Sequence, residues 1–68
     1  MNKTIKLKQL VSIMPASSRI KICECDWNGD TITHTGIIYV GDPNKYSTYM
    51  EKHIKFIEVQ ANITRIFL

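Results

Sequence analysis

Residues 55–68, with the sequence KFIEVQANITRIFL, contain two short apolar stretches on either side of the dipeptide Ala61-Asn62. If that dipeptide forms a two-residue turn, the flanking side chains meet as one aromatic, one aliphatic and one oppositely charged pair. These pairs are Phe56 with Phe67, Ile57 with Ile66, and Glu58 with Arg65. Directly opposed pairs of these kinds each contribute about 0.2–1 kcal/mol to a sheet. Because all three pairs fall in one register, the segment predicts an antiparallel hairpin.

A second hairpin is predicted around the dipeptide Asn28-Gly29. Apolar residues alternate with other residues in the stretch 19–27, and the stretch 30–40 is rich in Thr and Ile. Asn-Gly favours a type I′ turn, because that turn needs positive φ at both central positions. We therefore expect the two stretches to be strands joined by a two-residue turn, with a bulge at Gly36.

Two further segments carry helical signals. Apolar residues recur at helical spacing over residues 7–14, where Thr4 is placed to cap the helix and Pro15 to stop it. Pro43 suits the first turn of a short second helix. The predicted fold class is α+β, with the N-terminal helix packed on an antiparallel sheet of two hairpins. The short second helix lies between the hairpins, and one domain spans residues 1–68.

The composition limits the classes of protein that the chain can represent. It has 68 residues, 44% of them hydrophobic, a net charge of +3, and cysteines only at positions 23 and 25. No apolar run reaches the roughly 20 residues needed to cross a bilayer, and no apolar leader follows the first residues. In a strand the two cysteines stand at the upper limit of disulfide geometry. We therefore expect a cytoplasmic protein with reduced thiols and no membrane partner.

The small size of the chain makes additional stabilisation desirable. A 60-residue domain buries only about 60% of the surface that its unfolded chain exposes. Domains of this size commonly add a metal ion or a second chain. We therefore expect a homo-oligomer, with a homodimer as the simplest form.

The most specific candidate site is a structural zinc site on the first hairpin. A two-residue turn places Cys23, Cys25 and His34 on one face of the sheet, with His34 directly opposite Cys23. Two thiolates and one imidazole make three of the four ligands of a zinc site. The candidates for the fourth ligand are His53, Asp26, Asp30, water or a second chain. Two alternative roles for the cysteines remain open: they pack in the core, or they form a redox pair. The zinc site also depends on the turn length, because a three-residue turn would move His34 to the opposite face.

Catalytic motifs are missing from the sequence. It contains no Gly-x-Ser-x-Gly elbow and no glycine-rich phosphate loop, and nothing forces its carboxylates into a pair. The chain is therefore expected not to be an enzyme. The candidate partner-binding residues combine exposed aromatic and cationic side chains, and they are Trp27, Lys45, Tyr46, Tyr49 and Lys52.

Nucleic-acid binding is the first alternative function. The only cluster of cations is formed by Lys3, Lys6 and Lys8, which could bind phosphates. An RNA-binding sheet places aromatic residues beside basic residues on one face. The candidate binding aromatics Trp27, Tyr46 and Tyr49 do not follow that pattern, so this alternative depends on the lysine cluster.

The pattern of the whole chain resembles small orphan proteins of phages and mobile elements of Gram-positive bacteria. It combines a leading helix, the stretch RIKIC at residues 19–23, a polar hairpin and a closing hairpin over residues 54–68. The length, the richness in Ile, Lys and Asn, and the lone-domain format are similar to those of small anti-CRISPR inhibitors of type II effector nucleases, some of which contain metal. The resemblance covers architecture and composition, and no functional residue is carried over. It implies a non-enzymatic inhibitor that blocks a CRISPR effector nuclease by steric binding. The second alternative is a homodimeric phage structural or assembly protein.

Overall fold

A four-stranded sheet with one short helix forms the body of the protein in the computed structural model, which describes residues 4–68. Its elements are α1 (Leu7–Val11), β1 (Arg19–Cys25), β2 (Thr31–Tyr39), two 3₁₀ turns (Pro43–Lys45 and Ser47–Tyr49), β3 (Phe56–Gln60) and β4 (Ile63–Phe67). The strands lie in the order β2-β1-β4-β3. In the described part of the chain, no helix is long and apolar enough to span a bilayer.

The sheet is mixed, whereas an antiparallel sheet was expected. Both hairpins are antiparallel, but their inner strands β1 and β4 run parallel, from Arg19 beside Ile63 to Cys23 beside Phe67. The prediction was wrong at this central pair because turn residues determine pairing only within a hairpin. The pairing between hairpins depends on how the segment 40–55 crosses the core, and no local signal encodes that path.

The closing hairpin has the predicted turn and register. Ala61 and Asn62 have φ values of 52° and 64°, as a type I′ turn requires. The three expected cross-strand pairs are confirmed: Phe56 with Phe67, Ile57 with Ile66, and Glu58 with Arg65. Side-chain pairing therefore identified this register from the sequence alone.

The turn of the first hairpin differs from the predicted one. Residues 27–29 form a three-residue loop in which the Gly29 N–H donates to Asp26 O at 3.0 Å and the Asp26 N–H donates to Asp30 O at 2.9 Å. The Asp26 carboxylate also accepts hydrogen bonds from the N–H groups of Asn28 and Asp30, at 2.9 and 3.0 Å. This Asx turn provides hydrogen-bond partners for more backbone N–H groups than a two-residue turn at Asn28-Gly29 would.

Two bulges adjust the register of this hairpin. Near the turn, Cys25 lies opposite Thr31 rather than Ile32, but an irregularity between Glu24 and Cys25 restores the expected pairing of Cys23 with His34. A three-residue turn therefore leaves His34 opposite Cys23 after all. The bulge predicted at Gly36 is confirmed, since its φ is 76° and the register shifts beside it.

The helix α1 is shorter than the sequence predicts. It begins at Leu7 with Lys6 as its N-cap residue, and it ends at Val11 rather than at Met14. Thr4 does not cap it, because its hydroxyl bonds to the His53 ring at 2.8 Å. The Ser12 N–H still donates to Lys8 O four residues back, whereas those of Ile13 and Met14 donate to Leu10 O and Val11 O, three residues back. The apolar stripe nevertheless faces the core.

The predicted second helix is replaced by the two 3₁₀ turns. Asp42 makes no side-chain cap, and Tyr46 separates the turns with φ of −136°. The Tyr46 ring is buried and its hydroxyl donates to Val40 O. Insertion of this side chain into the core takes precedence over continuing the helix.

The hydrophobic core lies between one face of the sheet and the segments α1 and 40–54. Its buried members are Leu7, Val11, Ile20, Ile22, Val40, Tyr46, Ile54, Ile66 and Leu68. All the helical turns lie on this core side, so the opposite face of the sheet is left uncovered by the described residues.

Candidate binding face of the sheet

The uncovered face of the sheet is called here the outer face. Residues alternate across each strand, and Ile20, Ile22 and Ile66 point into the core. The residues next to these three in the sequence of β1 and β4 therefore point outward. The residues that lie opposite them on the adjacent strands point outward too. The outer face consists of His34, Ile37 and Tyr39 from β2, Arg19, Lys21 and Cys23 from β1, Ile63, Arg65 and Phe67 from β4, and Phe56, Glu58 and Gln60 from β3.

Aromatic and aliphatic side chains cover much of the outer face. The rings of Phe56 and Phe67 stack with centroids 4.2 Å apart and planes 13° apart. Phe56 is 52% exposed. On the same face, at the opposite edge of the sheet, Ile37 and Tyr39 are 57% and 51% exposed. An uncovered surface of this kind indicates an interaction site more often than a free surface.

The outer face is also positively charged. Arg19 and Lys21 form no ion pair with any other described residue. Arg65 lies beside Lys21 in the sheet and binds Glu58 on β3 at 2.8 Å. Three cations and one carboxylate therefore share this face with the aromatic residues.

Lys6 and Lys8 lie away from the outer face and share one carboxylate. Lys6 and Lys8 both bind the carboxylate of Glu51, at 3.0 and 2.7 Å. These hydrogen bonds lower the pKa of Glu51 to about 2. Lys52 binds Glu24 at 2.9 Å, which raises the pKa of Lys52. The cluster on which the nucleic-acid alternative depended is therefore partly occupied by a carboxylate, and Lys3 lies outside the described residues.

A shallow cavity of about 250 Å³ opens on the outer face. Its lining residues are Lys21, Ile37, Gln60, Ala61, Ile63 and Arg65. The volume is slightly below the roughly 300–1,000 Å³ of pockets for small ligands. An apolar floor with two cations beside it suits one side chain that is apolar along its length and acidic at or near its end.

The predicted zinc ligands are only partly brought together. Cys23 lies opposite His34 and is 3% exposed, whereas His53 is paired with Lys6 on the N-terminal segment. The Nδ1 atom of His34 accepts the N–H of Gly36 at 3.2 Å. Among residues 4–68, no three His, Cys, Asp or Glu side chains are grouped so that they could hold a metal ion.

The predicted partner-binding residues do not form one surface. Trp27 is 91% exposed at the tip of the first hairpin, and Lys52 is engaged with Glu24 near the turn end of β1. Tyr46 is a core residue, and burial raises the pKa of its hydroxyl. Tyr49 packs partly against the core, while Lys45 is exposed on a 3₁₀ turn.

Sequence reasoning missed the outer face. The strands carry aromatic and basic residues at alternate positions, but these positions become one surface only when β1 lies parallel to β4. Tyr39, Phe56 and Phe67 thus share a face with basic residues, which the pattern of Trp27, Tyr46 and Tyr49 did not predict. The available signal was the alternation of Arg19 and Lys21 in β1 and of Arg65 and Phe67 in β4.

Comparison of the chain with models of protein families, with curated proteins and with solved structures finds no match.

Proposed function

We propose that this chain is a non-catalytic binding protein that docks its outer face on an acidic, partly apolar surface of a larger protein. The observation that carries the proposal is the uncovered sheet face, where stacked aromatic rings and exposed aliphatic side chains adjoin Arg19 and Lys21. An apolar centre with a polar margin is the usual anatomy of a protein interface.

The dimensions of the molecule fit this mode of binding. A standard interface buries about 800 Å² on each partner. The described part of the chain measures 31 × 24 × 23 Å, so one of its faces has about this area. The outer face is thus large enough to be the whole interface.

The cavity supports an acidic anchor on the partner. A Glu or Asp side chain entering beside Ile37 and Ile63 would bring its carboxylate to Lys21 and Arg65. Arg is well suited to such contacts, because its planar guanidinium can bind a carboxylate through two hydrogen bonds. Charge complementarity of this kind contributes mainly to association rate and specificity.

A protein partner fits the outer face better than a nucleic acid does. Among the residues that the structure describes on this face, only Arg19 and Lys21 are cations without a carboxylate partner. Glu58 would lie close to any phosphate bound there. Neutralising two phosphates supports only weak binding, with a salt slope of about −2 for duplex DNA.

The resemblance implies a type II CRISPR effector nuclease as the partner, and we include that partner in the proposal. The nucleic-acid channel of such an effector is positively charged and would repel the outer face. An acidic surface that must stay free for domain movement is therefore the proposed target, and inhibition would be steric.

The test is a binding titration with a type II effector nuclease. Lys21→Glu reverses a charge at the centre of the outer face, and we expect it to weaken binding at least about tenfold. Lys45→Glu makes the same change on a 3₁₀ turn away from that face and is expected to leave binding unchanged.

Three results would contradict this proposal. Equal loss in both variants would indicate a general charge effect, and loss in Lys45→Glu alone would place the contact near the 3₁₀ turns. Tight binding of a single-stranded oligonucleotide that Lys21→Glu abolishes would favour the nucleic-acid alternative instead.

A further inference from the structure

Strand β3 is an edge strand without the usual protection against pairing. All five of its residues are exposed, with Ile57 at 42% and Val59 at 69%. It pairs with β4 in an unbroken register from Phe56 to Gln60. It contains no Lys, Arg or Pro, and its one charged residue, Glu58, is bound to Arg65. Natural edge strands usually carry such residues or a bulge to block pairing.

The other edge of the sheet, strand β2, has these protective features. Its pairing with β1 is interrupted by two register shifts, and Gly36 lies at φ 76°. The N–H of Gly36 is already engaged by the His34 ring. A second strand could not add to this edge in a regular ladder, so the two edges of the sheet differ in kind.

The hydrogen-bonding direction of β3 follows from its neighbours. The N–H of Leu68 donates to Cys23 O of β1. The backbone N–H and C=O groups of even-numbered residues of β4 are therefore directed toward β1, and those of odd-numbered residues are directed toward β3. The odd-numbered residues of β4 lie opposite Phe56, Glu58 and Gln60. The backbone groups of Ile57 and Val59 therefore point to the free edge.

We infer that a second copy of this chain pairs antiparallel with β3, related by a twofold axis at Glu58. In that register Ile57 lies opposite Val59 of the partner subunit, and each of the two equivalent pairs exchanges both of its outward backbone hydrogen bonds. The result is one continuous eight-stranded sheet.

The strand is complementary to itself in this register. Ile57 and Val59 are both aliphatic and both lie on the core side of the sheet, so pairing covers two exposed aliphatic side chains of β3. The two Glu58 residues meet at the axis, but each is already bound to an Arg65 of its own subunit. Shifting the partner by two residues would leave part of the strand unpaired.

The outer face is not covered in this dimer, so the inference is independent of the proposed function. A contact made mainly by one pair of strands falls below about 1,200 Å² in total area, which is the range of weak interfaces. The dimer is therefore expected to depend on protein concentration.

Sedimentation velocity over a concentration series tests the dimer. The unaltered protein is expected to shift from monomer to dimer mass as concentration rises. Val59→Lys places a charge on the β3 edge and is expected to stay monomeric at every concentration. Ile32→Lys makes the matched change on β2, where Ile32 is 66% exposed, and is expected to dimerise like the unaltered protein.

A second variant tests the dimer by forming a covalent link, so its result does not depend on weakening the fold. Residues at the twofold axis form a non-hydrogen-bonded pair with Cα atoms about 4.5 Å apart, within disulfide range. Glu58→Cys is therefore expected to give a disulfide-linked dimer under mild oxidation, whereas Thr33→Cys on β2 is not. A monomer at all concentrations, dimerisation of Val59→Lys, or equal cross-linking of the two cysteine variants would overturn the inference.

Discussion

Glu51 joins two parts of the chain that are distant in sequence. Glu51 lies in the segment that follows the 3₁₀ turns, and it binds Lys6 and Lys8, which flank the start of α1. The N–H groups of Leu7 and Lys8 donate to Lys52 O and Met50 O at 2.9 and 3.1 Å. The same short segment therefore satisfies the first backbone donors of the helix and the charges beside them.

The lowered pKa of Glu51 predicts a dependence of stability on pH. A carboxyl whose pKa falls from 4.5 to about 2 on folding stabilises the protein fully above pH 4.5. This contribution is lost as pH falls from there toward 2, because the unfolded chain binds the proton first. Urea unfolding at pH 7, 4 and 3 should show a smaller fall in stability for Glu51→Gln than for the unaltered protein.

The control for Glu51 is Asp30→Asn, since the Asp30 carboxylate makes no ion pair with the described residues. It should show the same fall as the unaltered protein between pH 7 and pH 3. Glu51 is exposed, so high salt should reduce the difference between Glu51→Gln and the unaltered protein. An identical fall in both variants would contradict the role given to Glu51.

We propose that the first hairpin binds zinc. The register places His34 opposite Cys23, and binding would require Cys25 to turn toward them. Elemental mass spectrometry of protein purified without chelator is expected to find about one zinc per chain, lost in Cys23→Ser. Protein without zinc would instead leave Cys23 as a buried side chain beside Phe67.

Among the elements, strand β2 of the first hairpin contains a left-handed residue at its bulge. Gly36 has φ of 76° and no atom lies within 4 Å of where a Cβ would be. A side chain there costs about 1–2 kcal/mol through the backbone alone. We therefore expect Gly36→Val to lower the free energy of unfolding by at least this amount, as measured by urea titration.

Thr33→Val is the matched control for Gly36. It introduces the same side chain at an exposed, extended position of the same strand and should change stability by less than about 0.5 kcal/mol. If both variants lose stability equally, the bulge at Gly36 is not the cause.

The two hairpins also show how far local signals predict an element. In the closing hairpin, side-chain pairing and turn geometry agree, so the predicted register is correct. In the first hairpin, the Asp26 carboxylate forms an Asx turn that competes with the Asn-Gly turn. The pairing of Cys23 with His34 was still correct, because a bulge compensated for the longer turn.

At the scale of the whole molecule, the two proposals use different surfaces. The outer face is formed by side chains of all four strands, whereas the proposed dimer contact is the backbone edge of β3. Lys21→Glu should therefore leave the dimer intact, and Val59→Lys should reduce partner binding only through lost bivalency. A dimer would present two outer faces on the same side of one sheet.

The elements that depend on neighbours in the chain could be predicted from the amino-acid sequence alone. Cross-strand pairs and turn residues identified the β3–β4 hairpin, and the spacing of Leu7 and Val11 identified the helical face that enters the core. The parallel pairing of β1 with β4 arises only from tertiary packing, and it brings Lys21 beside Arg65 and creates the outer face. The physical reason is that local conformational preferences act over a few residues. The contact between hairpins instead depends on how the whole chain buries Ile20, Ile22 and Ile66 together.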